Sequence, residues 1–411
     1  MAPADRLAAG KIGLLGSLYL AQGLPFGFFS QALPVMMRRQ GWSLGSIGLS
    51  SLLAAPWALK FAWAPLVDRL GSARFGRRRS WIVPLQLASV LCLGVMALAA
   101  SADRMNTLLA AVFMINTLAA TQDIATDGLA VDILSPVERG LGNGVQVAGY
   151  RVGMIVGGGA LLVALGAVGW RATFAIMALA IGASTVPILL YREPRSDRER
   201  RDRRPRARSH FLRRRGAGRI LALVVSYKAG DHFAAGMLRP FLADRGISLA
   251  EIGVLLGTVG FVAGLAGAVA GGALVNRVGR RQSLILFGAL QALTIGGYAL
   301  LAATDRPSLL LYTLCAAEHL AGGMATAALF TCMMDWCSPD SAATDYTVQA
   351  SAVVLASGAA AALSGFSAQA VGYLNHFALA SGLGLAAVAA AWALFPQPPI
   401  RAPGREVEPC A

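Results

Sequence analysis

The sequence predicts an all-α integral membrane protein of twelve transmembrane helices, arranged as two six-helix pseudo-repeats. Of 411 residues, 56% are hydrophobic and only 14% are charged, far from the balance of a soluble globular domain. Apolar stretches of roughly 20 residues, the length that crosses a bilayer as a helix, follow one another along the chain. Short motifs in the first half also recur in the second at an offset of about 205 residues.

The twelve stretches lie near 12–37, 45–66, 81–100, 107–133, 141–163, 172–191, 219–242, 249–275, 282–303, 308–334, 345–373 and 377–396. The first is longer than a signal-peptide core, lacks a clear small-residue cleavage site and carries Gln22 and Gln31, so it reads as a retained helix. Five cysteines without metal-ligand spacing argue against a disulfide framework and against a metal site.

The net charge of +15 is distributed in a way that excludes a nucleic-acid surface. With the amino terminus inside, the inner loops and tails carry 26 of the 36 Lys and Arg, whereas the outer loops hold Arg38, Arg39, Arg104, Arg171, Arg245 and Arg306. That asymmetry follows the positive-inside rule and predicts both termini in the cytoplasm of a bacterium, with the helices in its inner membrane. Between Arg192 and Arg219 the chain becomes a run of thirteen arginines with Glu193, Asp197, Glu199 and Asp202 among them. Phe211 is its only aromatic, so it reads as a tether lying on anionic headgroups. The expected organisation is a first half 1–191, a cytoplasmic linker 192–218 and a second half 219–411.

The halves repeat each other in detail. Ser43-Leu44 with Ile47-Gly48 recurs as Ser248-Leu249 with Ile252-Gly253, and Pro34 with Gly41 recurs as Pro240 with Gly246. After the second stretch come Asp68, Arg69, Gly76, Arg77 and Arg78, and after the eighth come Asn276, Arg277, Gly279 and Arg280. Parallel repeats of this kind mark transporters whose halves rock against each other. In these loops an acid can accept hydrogen bonds at a neighbouring helix end while arginines hold the interface, which predicts a conformational latch. Lys60, near the inner end of its helix, is expected either to snorkel or to join that latch.

Ionisable residues are absent from the apolar cores of the third, sixth, ninth and twelfth stretches. They occur in the others, as Lys60, Asp123, Asp127, Arg151, Lys228, Asp231, His232, Glu318 and His319. A charge at mid-bilayer costs several kcal/mol unless it meets a partner or a wet cavity, so the uncharged set is expected to face lipid. At about 1.5 Å rise per residue, Arg151 lies level with Asp123, which predicts a pair with Asp123 or with Asp127 one turn below. Lys228, Asp231 and His232 share a face at i, i+3 and i+4, and Glu318 lies at similar depth, a constellation suited to carrying protons.

Glycines at 253, 257, 260, 264, 267 and 271 give the eighth helix one smooth face, and Gly149, Gly153 and Gly157 do the same for the fifth. The expectation is a sliding interface between these two helices. An enzyme is not expected: the histidines form no HExxH pattern and no nucleophile has a base at fixed spacing.

Several segments resemble one transporter group. Ala21-Gln22-Gly23-Leu24-Pro25, Leu59-Lys60-Phe61-Ala62-Trp63-Ala64-Pro65-Leu66-Val67-Asp68, Gln122-Asp123-Ile124-Ala125-Thr126-Asp127-Gly128 and Gly149-Tyr150-Arg151-Val152-Gly153 are similar to the AmpG muropeptide permeases and acetyl-CoA transporters of the major facilitator superfamily. The loop around Asn276 is similar to the superfamily signature, with Asn where Asp is usual. Gly158 stands where the superfamily's antiporter signature has proline, which speaks against export. In length the chain resembles the compact siderophore permease branch (RhtX/FptX). The resemblance therefore implies a monomeric, cofactor-free, proton-driven importer, with a siderophore as first expected substrate, an anhydromuropeptide as the alternative and a non-transporting sensor as a remote one. It implies a substrate and proton pathway of Gln22, Gln31, Asp123, Asp127, Arg151, Lys228, Asp231, His232, Glu318 and His319.

Overall fold

A computed structural model describes residues 3–42, 49–72, 74–99, 105–193, 211–214, 216–304 and 308–396. Most of the arginine-rich linker therefore lies outside the described residues. The described chain is almost entirely helical. Seven helices are by themselves long and apolar enough to cross a membrane. The other crossings come into view once breaks and turns within helical runs are considered. Twelve segments result: α1 (3–39), α2 (50–69), α3 (Arg79–Ala99), α4 (Met105–Ile133), α5 (139–168), α6 (170–190), α7 (217–244), α8 (249–278), α9 (Arg280–Ala302), α10 (Ser308–Asp335), α11 (342–371) and α12 (373–394).

Two of the reversals are hidden inside continuous helical runs. Leu161–Leu190 turns at Gly169 (φ 75°) and Ala342–Leu394 turns at Gly372 (φ 76°), so α5 passes to α6, and α11 to α12, without a loop. Left-handed φ strains any residue with a Cβ, which is why glycine stands at both turns. Gly41 and Gly246, and Gly76 and Gly279, are likewise left-handed. Each pair is separated by 203 to 205 residues, so the repeat seen in the motifs is also a repeat of backbone geometry.

Other breaks place charged residues. In α2, Pro56 and Pro65 each sit at the start of a short helical piece, because proline lacks an N–H and in a first turn it costs no helical hydrogen bond. Between them the chain tightens into a 3-10 turn, Lys60–Ala62, which buries Lys60. In α7 the helix stops at Tyr227 and restarts at Ala229, leaving Lys228 in the gap (φ −104°, ψ 0°). Asp231 then lies in the first turn of the new piece, where the helix dipole favours a negative charge. π-turns interrupt α1 at Phe28–Ala32, α5 at Val156–Ala160 and α8 at Leu255–Val259.

Packing differs between the two ends of the bundle. At the end bearing the arginine-rich loops, one core cluster joins both halves: Leu15, Tyr19 and Ala130 of the first with Val275, Met333 and Tyr346 of the second. At the opposite end each half has a core of its own, around Leu24, Phe28 and Phe174 in the first and around Leu238, Phe241 and Phe377 in the second. The helices without core charges turn apolar side chains outward, including Leu98 on α3, Leu190 on α6, Leu300 on α9 and Trp392 on α12. These are the lipid-facing surfaces of a membrane-spanning protein.

The glycine faces pack differently from the sequence expectation. A Cβ at Gly153 or Gly157 would overlap the Leu20 or Leu24 carbonyl, so the α5 face lies on α1 of its own half. The α8 face lies on α10, with Gly267 and Gly271 against Leu320 and Met324. Farther along, the Arg151 side chain of α5 reaches Gly264 of α8, but the backbones of the two helices approach closely near the arginine-rich end. There a Cβ on Gly144 would sit 2.8 Å from the Ala268 carbonyl, and one on Gly272 would sit 3.1 Å from Gly144 Cα. Gly253 and Gly257 have open space around them.

Gly272→Val or Gly144→Val should overpack this crossing and cost about 1–3 kcal/mol. Gly253→Ala and Gly257→Ala should be neutral or slightly stabilising. Thermal unfolding in detergent compares the four; a Gly272→Val protein as stable as its parent would show that the crossing is not tight.

Candidate functional site

The charged residues assemble into three groups, set at different depths. In the first half, Asp123 and Asp127 lie one turn apart on the buried face of α4. Lys60 is 3% exposed and forms an ion pair with Asp123, and its Nζ lies 3.9 Å from Asp127. The ammonium also sits 5.6 Å from the Trp57 ring centroid. Asp127 accepts hydrogen bonds from Tyr19 Oη (2.7 Å) on α1 and Gln146 Nε2 (3.3 Å) on α5. Gln146 also reaches Tyr346 Oη on α11 at 3.4 Å, so the group touches the second half.

This corrects two expectations. The cation paired with Asp123 is Lys60, not Arg151, because the proline breaks of α2 carry the lysine inward. Lys60 neither snorkels nor joins a latch. Gln22 is buried with both amide atoms unpartnered, and the side chain of Gln31 lies outside the described residues.

The second group surrounds a cavity of about 250 Å³ between α7, α8, α9 and α10, in the half of the bundle away from the arginine-rich loops. Lys228 is ion-paired with Asp231. Glu318 Oε2 lies 2.7 Å from His319 Nδ1, which is also 3.0 Å from the Cys315 carbonyl. His232 and Arg239 line the same space, together with the apolar Leu238, Leu256 and Ile295. Arg151 of α5 reaches this cavity from the first half. The structure thus gathers Lys228, Asp231, His232 and Glu318, which spacing and depth predict together, and adds His319 and Arg151 to them.

The third group closes the arginine-rich end. Asp68 accepts from Arg77 Nη2 (3.0 Å), Arg78 Nη1 (2.9 Å) and the backbone N–H of Thr344 (2.7 Å) at the start of α11. Arg78 is fully buried and also donates to Asp132 (2.9 Å) at the end of α4. On the other side, Asp335 at the end of α10 accepts from Arg139 (2.7 Å) of the first half and Arg280 (2.6 Å) of the second. Asn276 and Arg280 donate to the Val137 and Pro136 carbonyls across the halves. Asn276 is an amide where an acid was to be expected, and Asp335 supplies the missing carboxylate. Arg69 and Arg277 are exposed and take no part among the described contacts.

Sequence analysis missed Asp132, Asp335, Thr344 and Arg139. Asp132 and Asp335 are separated by the same 203-residue offset as the glycine turns and end equivalent helices, which is the signal that could have found them. Beside this latch, burial raises the Glu193 carboxyl above its ordinary range, against the backbone N–H groups of Arg78 and Arg79 that it accepts. Partial burial works the same way on Glu138, but the Ser135 N–H and the Lys11 ammonium outweigh it and hold that carboxyl below the ordinary range.

The sequence pattern of the Major Facilitator Superfamily matches residues 15–344 and, a second time, residues 220–409. The chain belongs to the major facilitator superfamily. It is a membrane-spanning transporter, not an enzyme, and within the superfamily it falls in the AmpG group. It is 33% identical to the anhydromuropeptide permease of Escherichia coli K12 over 354 residues, 82% of this chain and 70% of that one. An uncharacterised protein of Haemophilus influenzae is 32% identical over 372 residues, 86% of this chain and 87% of its own length. Among solved structures, the E. coli fucose:proton symporter superposes with a TM-score of 0.70 at 13% identity, over 94% of this chain and 99% of that one. The human organic anion transporter MFSD10 gives 0.68 at 15% identity, over 95% and 100%. Both show the fold alone.

Lys60→Met should destabilise this major facilitator protein by about 3–5 kcal/mol, since it leaves a buried carboxylate uncompensated. Adding Asp123→Asn should recover most of the loss, measured as thermal unfolding. Asp335→Asn should loosen the latch and raise N-ethylmaleimide labelling of the buried Cys332 several-fold in a background lacking the other cysteines. Unchanged labelling would show that Asp335 does not hold that end shut.

Proposed function

We propose that the protein is a proton-coupled importer of anhydromuropeptides in the inner membrane of a bacterium. It works as a monomer, with both termini in the cytoplasm and the halves 1–191 and 219–411 rocking about the central cavity. The observation that carries the substrate is the 33% identity to an anhydromuropeptide permease along most of both chains. The siderophore reading, drawn from compact length, gains nothing from the relatives.

The arrangement of charge supports the coupling. Lys60 stands between Asp123 and Asp127, so with both acids ionised one negative charge is unbalanced inside the bundle. A proton on either acid neutralises the group, which lowers the cost of moving it through a low-dielectric passage. Asp127 lies one turn nearer the arginine-rich end, and the Gln146 contact with Tyr346 ties its hydrogen bonding to the second half. A change of protonation there acts on a contact between the halves, which is what coupling to rocking requires.

Closure at the arginine-rich end and an open cavity at the other describe an outward-facing stage, ready to accept solute from the periplasm. The mixed lining of cations, acids and aliphatic side chains suits an amphipathic, charged solute such as a sugar-linked peptide.

Expression in a strain that lacks its own anhydromuropeptide permease should restore labelled muropeptide uptake and β-lactamase induction. Uptake should collapse with a protonophore and survive ATP depletion while the gradient is held. Asp123→Asn and Asp127→Asn should lower gradient-driven uptake at least tenfold while sparing exchange. Restored growth on an exogenous siderophore, with no muropeptide uptake, would move the protein to iron acquisition.

A further inference from the structure

The cavity holds two carboxylates, and each already has a partner of its own: the Lys228 ammonium for Asp231 and the His319 ring for Glu318. Arg151 has no ion pair or hydrogen bond among the described residues. Asp231 and Glu318 act on it only through space, from beyond ion-pair distance. Two further donors are buried at the same wall: the Tyr298 hydroxyl beside Cys315 and the Gln291 amide nitrogen beside Asp231, neither completing a hydrogen bond of ordinary geometry among the described residues. What the cavity leaves unmatched is thus two guanidinia and neutral hydrogen-bond donors, while its acids are taken; of the two, Arg239 is exposed and Arg151 is the one set deeper, beside Gly264.

The second half makes room for this guanidinium. A Cβ on Gly264 of α8 would overlap Arg151 Nη1, so glycine at this position leaves room for the guanidinium where it now lies, and a larger residue would displace it. Gly260, one turn earlier, stands in the same relation to His319, where a Cβ would lie 2.7 Å from the ring.

The geometry points to Arg151 as the receptor for a carboxylate of the transported solute, with Gly264 as the residue that admits it. Resting on the proposed import function, this names the chemical group that the cavity selects. A planar guanidinium pairs two-point with a carboxylate, a match that lysine cannot copy. Among the residues lining the cavity Arg151 alone comes from the first half, so a solute held by Arg151 and by α7 and α10 bridges the halves. Binding then favours their approach over the solute.

Binding is measured as the concentration dependence of thermal stabilisation of the purified full-length protein. The probes are an anhydromuropeptide and the same compound with every carboxyl converted to carboxamide. The acid should bind wild type at least tenfold more tightly than the amide. Arg151→Gln and Gly264→Ala should bind both forms alike, at the level of the amide on wild type, and Arg151→Lys should fall between. A retained acid preference in Arg151→Gln overturns the assignment, and the unliganded melting temperature of each variant separates misfolding from lost recognition. If neither muropeptide form binds wild type, the comparison is repeated with citrate and its triamide. An acid preference there that Arg151→Gln abolishes keeps the carboxylate receptor and overturns the muropeptide reading; no acid preference with either pair overturns the receptor.

Discussion

An ionised side chain inside a low-dielectric bundle must meet an opposite charge, and this constraint organises the structure from end to end. Lys60 is held between Asp123 and Asp127, Lys228 by Asp231, and the fully buried Arg78 between Asp68 and Asp132. Removing one partner from such a pair strands the other at a cost of several kcal/mol, so the pairs bind their helices to one another. The backbone bends to serve them. Two prolines deliver Lys60 inward from α2, and the break in α7 sets Lys228 beside the first turn that carries Asp231.

The second organising feature is where the halves touch. A shared apolar core, the crossing of α5 and α8 at Gly144 and Gly272, and the Asp68 and Asp335 ion networks all lie at the arginine-rich end. At the opposite end each half closes its own core, and the cavity lies among α7–α10 of the second half, with Arg151 its one lining residue from the first. Most contacts of the glycine faces are internal to a half, α5 on α1 and α8 on α10, so each half behaves as a unit whose closest helices need not slide. The proposed rocking would require the rupture of one concentrated set of polar contacts, whose members are exchangeable with water and headgroups once exposed.

Under the proposed function, the two buried charge groups divide the work of a coupled transporter. The group around Lys60 is closed over by Tyr19, Gln146 and Tyr346, a setting for a proton rather than a solute. The group around Lys228 faces open volume, a setting for a solute. Arg151 belongs to the first half by sequence and to the second group by position, and among the described residues neither it nor Arg239, the more exposed guanidinium of the same cavity, has a counter-charge at ion-pair distance.

By itself the sequence determined the membrane environment, the twelve crossings, the repeat and the set of charged residues that turn inward, because hydropathy and motif offset are properties of the chain read in order. It also carried the superfamily, through motifs short enough to be recognised without their partners. Only the tertiary structure decided who pairs with whom. Depth along an ideal helix put Arg151 level with Asp123, but depth says nothing of rotation about the helix axis, and the proline breaks of α2 brought Lys60 to the acid instead. The same holds for the glycine faces, since a smooth face fits any close neighbour and packing chose α1 and α10. Asp335 was invisible as a latch residue because the acid of its motif lies on another helix, about 60 residues away in the chain. Local pattern fixes which side chains must be buried; the partner that satisfies each one is a property of the assembled bundle.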